Sequence, residues 1–169
     1  MESWADLLLA LVESPARNRL IAQLATRAAE TMPVLILTDR VDHVVRLSAA
    51  LAVPHQRLHG RLDAETRKAA LAAVIGGTAR ITVGTIALLG EGLDVAPWQA
   101  LILATPISSR TKLLQAIGRV VRPHPGKARA FVADLVDDSA LARASFRKRV
   151  EIYAERGIPL ADTRRAGVE

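Results

Sequence analysis

Four short apolar runs set the architecture of this chain: Val34–Leu37, Ile81–Val83, Ala100–Ala104 and Ala130–Ala133, each closed by polar or glycine-containing turns. A run with little or no alternation between apolar and polar positions reads as a strand buried on both faces. Such a strand needs a covering layer on each side of its sheet. The segments between supply it, with helical periodicity over 3–12, 15–30, about 41–52, from Asp63 as a cap to about Ile75, and over 141–156. Gln56–His59 adds a further short strand, and Leu135-Val136 prolongs the last one. Strands that alternate with helices imply the α/β class, a mostly parallel sheet of five or six strands with helices on both faces. In sheets of this kind ligands gather at the carboxyl ends of the strands. Those ends carry Thr38–Arg40, Gly60-Arg61, Thr85 and Thr105–Arg110.

Composition narrows the chemistry mainly by exclusion. The absence of cysteine removes thiolate metal sites, disulfides and cysteine nucleophiles, and leaves a cytoplasmic location as the expectation. His43, His55, His59 and His124 are not spaced as metal ligands, so each is expected at the surface or at a strand end, and no metal site is expected. No apolar run approaches the roughly 18 residues of a membrane span, and Glu2 and Asp6 stand where a secretion signal would be basic. The formal charge of +6 is compatible with an anionic partner but is also what solubility alone would ask for. Five scattered aromatics are too few for a base-stacking platform. The simplest division is an N-terminal helical extension over 1–32, a lobe over 33–157 and a polar tail over 158–169 that frays.

One stripe of side chains stands out. Gln115, Gly118, Arg119 and Arg122 fall at i, i+3, i+4 and i+7, so a helix aligns all four while turning Ile117, Val120 and Val121 elsewhere. Pro123 biases Arg122 out of helical dihedrals and sets it at or just past the helix end. Two guanidiniums aimed one way suit a polyanion such as a triphosphate. Taken alone, the pattern fits an ordinary amphipathic helix with solvated arginines equally well.

Four segments in order resemble the second, C-terminal RecA-like lobe of superfamily 2 helicases and translocases. Val34–His43 looks like motif IV, Leu58–Leu62 like motif IVa, Ile81–Thr85 through Gly90–Pro97 like motif V, and Gln115–Arg122 like motif VI. The likeness spans about residues 33–137. Leu103–Pro106, Arg122-Pro123 and Val136–Asp138 are similar to the DNA repair, phage and restriction-type branch. The resemblance implies a three-layer RecA-like fold of the P-loop NTPase type. It implies that Arg119 and Arg122 are arginine fingers and that Gln115 positions the attacking water or the terminal phosphate. Gly92, Asp94 and Gly118 would lie against the nucleotide, with a capped turn as the rival account of Asp94. Thr38, Asp39, Arg40, Gly60, Arg61 and Thr85 would form a track along nucleic-acid phosphates, which hold a strand without reading its sequence. Two departures stand out: Ala116 occupies a position where many relatives carry arginine, and the stretch from Thr85 to Asp94 is one residue longer than in the DEAD-box branch.

No G-x-x-x-x-G-K-[ST] loop occurs, and Gly126-Lys127 lacks both the following hydroxyl and the preceding glycine. Asp137-Asp138 ends an apolar strand and reads as a strand terminus and helix cap, not as a magnesium-binding pair. ATP with Mg²⁺ would therefore be held mainly by an N-terminal RecA-like lobe outside this chain. The expected partners are that lobe and nucleic acid, DNA ahead of RNA, with no membrane. This chain by itself is expected not to hydrolyse ATP. The alternative is a stand-alone, catalytically inactive adaptor that binds DNA or protein.

Overall fold

A computed structural model describes residues 3–90 and 97–161. Gly92 and Asp94, and the tail beyond residue 161, lie outside the described residues. The order of elements is α1 (Trp4–Glu13), α2 (Pro15–Ala29), β1 (Val34–Thr38), α3 (Val41–Ala50), β2 (His55–Leu58), α4 (Ala64–Ile75) and β3 (Ile81–Thr85). After a 3₁₀ segment (Ile86–Gly90) come β4 (Ala100–Leu103), α5 (Arg110–Val121), β5 (Phe131–Asp134) and α6 (Ala140–Glu155). The five strands lie in the order β2-β3-β1-β4-β5, and every neighbouring pair is parallel. All five carboxyl ends therefore share one edge of the sheet.

The pleat explains why the central strands β1, β3 and β4 are buried at every position. In contrast β5, at the sheet edge with Phe131 48% exposed, is not the doubly buried strand its apolar run suggests. Val34 and Ile36 of β1, with Ile81, Val83, Ala100 and Ile102, face α2 and α3. Leu35 and Leu37, with Leu58, Leu101 and Leu103, face the core built by α4, α5, α6 and the 3₁₀ segment. Successive side chains thus go to opposite layers, and both layers are closed. The layer of α2 and α3 makes the N-terminal helices part of the sheet's cover: Ile21, Ala22 and Ala25 of α2 are buried on it.

Local chemistry sets the helix ends. Ser3 and Asp6 form a reciprocal capping box at α1, while Ser14, Asp63, Ser109 and Ser139 each accept a backbone N–H at the start of α2, α4, α5 and α6. Ser139, not the acidic pair before it, caps α6; Asp137 is bound to Arg17 at 2.8 Å, and Asp138 to Arg143. At Gly84 a Cβ would stand 3.1 Å from the Leu58 carbonyl oxygen, so glycine lets β3 lie close against β2. Among the described residues no helix is long and apolar enough to cross a membrane.

Candidate functional site

The turn after β1 is supported by a buried polar chain. The side-chain amide of Asn18 donates to the Val12 carbonyl oxygen at 2.9 Å, and a carbonyl only accepts, so the Asn18 oxygen must be the atom facing His43 Nε2 at 2.8 Å. His43 Nε2 therefore carries the proton and donates it. In neutral imidazole the other nitrogen is then an acceptor, so the Thr38 hydroxyl donates to His43 Nδ1 across 2.6 Å. Thr38, fully buried, has its one hydroxyl proton committed inward and none to offer a phosphate. His43 is fully buried as well, which corrects the expectation that it lies at the surface or a strand end. Its ring sits on the face of α3 turned to α2, where Asn18 replaces the water it would otherwise need. His55, in contrast, does begin a strand, held by Ser48 and the Val53 carbonyl.

Burial, together with the positive charge of Arg17, lowers the His43 pKa to about 4 from its ordinary 6.5. The unfolded chain binds a proton at this residue near pH 6.5, and the folded chain does so only near 4. Between those values the unfolded state holds more protons, so stability falls as pH drops through the window. A shift of this size corresponds to roughly 3 kcal/mol by pH 4. In urea titrations at pH 7 and pH 4.5, the wild type should lose roughly 2 kcal/mol more than His43→Gln. Equal losses in the two proteins would show that His43 is not held neutral.

A second hydroxyl supports the same turn. Thr105, fully buried after β4, accepts the Asp39 backbone N–H at 2.9 Å. The Asp39 side chain is exposed, Arg40 is half-buried, and Gly60 and Arg61 are exposed at the end of β2. The Arg61 backbone donates to His59 Nδ1 at 3.3 Å, and burial plus the charges of Arg57, Arg61 and Arg67 lowers the His59 pKa. That shift marks a positive local field at this edge. Thr85 is buried and lines an apolar crevice with Leu37, Leu58, Trp98 and Arg119. The crevice joins the end of β3 to the arginine stripe.

The stripe itself takes the expected form. Gln115, Gly118 and Arg119 lie on α5, and Arg122 is its C-cap at φ −57°, ψ 134°, already extended as the following proline requires. Gln115 and Arg122 are exposed, whereas Arg119 is half-buried and donates to the Leu89 carbonyl oxygen at 2.6 Å. Arg119 is thus docked on the 3₁₀ segment that follows β3. At Gly118 an added Cβ would meet no described atom within 4 Å, so packing among the described residues does not require glycine there. Ala116 is fully buried in the core, and an arginine at that position would be driven into the apolar layer.

One neighbour was missed from sequence. Lys127 Nζ donates to the Arg122 carbonyl oxygen at 2.7 Å, and the Lys127 backbone N–H closes on the His124 carbonyl, with Gly126 at φ +82° making the turn. The loop after α5 folds back and sets a cation on the last carbonyl of the helix. Only the Gly126-Lys127 pair in the sequence hinted at it.

Residues 16–124 match the helicase conserved C-terminal domain. The chain belongs to that family. By sequence this helicase domain is 28% identical over 129 residues to the ATP-dependent DNA helicase UvsW of Enterobacteria phage T4, a match covering 74% of this chain and 26% of that protein. It is 24% identical over 136 residues to putative helicase 22 of a Sulfolobus islandicus filamentous virus, covering 79% and 24% of the two chains. It therefore spans about a quarter of the length of these relatives. In three dimensions it resembles the crystal structure of T4 UvsW, with a TM-score of 0.74, 23% identity, and coverage of 91% of this chain and 35% of that one. Dbp5 of S. cerevisiae, solved bound to RNA and ADP BeF3, gives a TM-score of 0.68 at 16% identity, over 87% and 38% of the two chains. The sheet and its helices are the RecA-like fold of helicase C-terminal domains.

Helicases of this family use ATP and Mg²⁺. Gln115, Arg119 and Arg122 carry side-chain N–H groups of the kind that donate to phosphate oxygens. Among the described residues no group of His, Asp or Glu could hold a metal ion.

Proposed function

We propose that this helicase C-terminal domain is the second lobe of an ATP-dependent superfamily 2 DNA helicase or translocase, of the repair, phage and restriction-type branch. The observation that carries the reading is α5, which places Gln115, Gly118 and Arg119 at i, i+3 and i+4 with Arg122 as its C-cap. In this reading Arg119 and Arg122 offset charge on the transferred phosphoryl group, and Gln115 orients the attacking water or the terminal phosphate. Gly92 and Asp94 approach the nucleotide from the motif V turn, outside the described residues. ATP supplies the phosphoryl group and, with Mg²⁺, is held mainly by an N-terminal RecA-like lobe. Residues 33–157 form the lobe proper, with 1–32 as an extension that covers one sheet face. The location is cytoplasmic.

Asp39, Arg40, Gly60, Arg61 and Thr85 follow the phosphates of a single strand, DNA ahead of RNA, and Thr38 joins them by supporting the turn from beneath. Binding to oligo-dT tests the track. With Arg40 and Arg61 each neutralising one phosphate, log affinity should fall against log salt with a slope of about −1.4, or about sevenfold over a fourfold rise in salt. Arg61→Ala should roughly halve that slope. A salt-independent affinity would sink the phosphate assignment.

A further inference from the structure

The two hydroxyls beneath the turn after β1 belong to different strands, and neither faces solvent. Thr38 ends β1 and Thr105 follows β4, its neighbour in the sheet; both are fully buried. Between them they address the backbone N–H groups of the two exposed-side residues of the turn. Thr105 Oγ1 accepts from Asp39 at 2.9 Å, and Thr38 Oγ1, its own proton turned away to His43, offers a lone pair to Arg40 at 3.5 Å. The second contact is long and weak by itself. It is directional, however, because the chain Val12, Asn18, His43, Thr38 fixes which way every proton points. Nearby, Arg17 donates to the Ala104 carbonyl and pairs with Asp137 at 2.8 Å, so consecutive residues of α2 reach under both turns.

We propose that Thr38 and Thr105 are positioning residues for nucleic-acid binding, held by the Asn18–His43 pair. The proposal rests on the reading of Asp39 and Arg40 as phosphate contacts. It makes the N-terminal helices part of the binding apparatus: α2 does not touch the strand, but its Asn18 sets the proton order that orients the turn. A flexible turn would have to be ordered at the moment of binding, and that cost lowers affinity. Two buried hydroxyls order it beforehand.

The test uses the chain 1–169, with oligo-dT affinity measured beside hydrogen exchange at the Asp39 and Arg40 amides. Thr38→Val and Thr105→Val keep the shape and remove the hydroxyl. Thr105→Val should weaken binding about fivefold per folded molecule, the worth of one ordinary hydrogen bond, and speed exchange at the Asp39 amide by a similar factor. Thr38→Val, whose contact with Arg40 is long, should shift binding and Arg40 exchange in the same direction by less. Thr38→Ser and Thr105→Ser should restore both. His43→Gln, which keeps a donor for Asn18 and removes the acceptor for Thr38, should behave like Thr38→Val. A merely structural role would lower stability in the valine variants while leaving the affinity of the folded fraction unchanged, and that result overturns the proposal. Faster exchange without weaker binding overturns it too. If the wild type fails to bind oligo-dT at all, the nucleic-acid reading falls and this proposal with it; wild-type binding indifferent to the valine variants defeats the positioning role alone.

Discussion

Replacing Arg119 by alanine in this domain joined to its nucleotide-binding lobe should lower ATP turnover by about a thousandfold or more, the loss that follows removal of an arginine finger. That factor corresponds to about 4 kcal/mol of transition-state stabilisation. Arg122→Ala should act on the same step. The domain by itself should show no turnover, because it holds no P-loop to cradle the phosphates. Thermal melts of each variant separate this from unfolding. Arg119 also holds the Leu89 carbonyl, and Arg119→Lys keeps a cation and a donor there while losing the planar fork. Lysine should therefore preserve the melting temperature and still lose most of the turnover. Turnover that survives both alanine variants would show that Arg119 and Arg122 are not the fingers, and hydrolysis by 1–169 alone would disprove the split centre.

The bond from Arg119 to Leu89 ties α5 to the segment after β3. The Arg119 guanidinium is in direct contact with the 3₁₀ segment, which lies inside the stretch compared with motif V. Arg119 and the strand-end Thr85 line the same crevice.

What the sequence made legible follows from what burial leaves in it. β1, β3 and β4 are buried at every position, so their residues are apolar or small in succession and announce themselves. Their order fixes where the carboxyl ends fall, and the turns there could be named before any coordinates. The α5 stripe was legible because helical spacing and Pro123 act locally. Tertiary pairing left weaker marks. Nothing in Val41–His43 signals that the histidine turns inward, since its partner Asn18 lies 25 residues away and reads as a polar position in a polar helix. The 3₁₀ segment Ile86–Gly90 has no periodicity long enough to detect. β5 was placed by its apolar run, but that run continues through Leu135-Val136, whereas the strand stops at Asp134. There the carboxylate is taken by α6.

Asp134 should prove the most costly single truncation in the α6 layer. Arg149 is 1% exposed, with Nε and Nη2 donating to the two Asp134 oxygens at 2.7 and 2.8 Å. Its Nη1 donates to Ser145 at 2.7 Å, one turn earlier, and its guanidinium lies 5.7 Å from the Phe146 ring centroid. Tyr153, one turn later, donates its hydroxyl to the same carboxylate at 2.7 Å; burial, then the Asp134 charge, pushes its pKa up, so it stays a donor. Asp134→Ala leaves a buried guanidinium without its counter-charge, which costs roughly 3–5 kcal/mol. In a domain of this size that should lower the melting temperature by about ten degrees. Removing both charges is a different perturbation: Asp134→Ala with Arg149→Met buries no unpaired ion and should recover most of the loss. A double variant as unstable as Asp134→Ala alone would mean that the pair acts through shape and not charge. Asp134→Ala within about 1 kcal/mol of wild type would mean that α6 is held by Ile152, Tyr153 and its other apolar contacts, and that the fork at β5 contributes little.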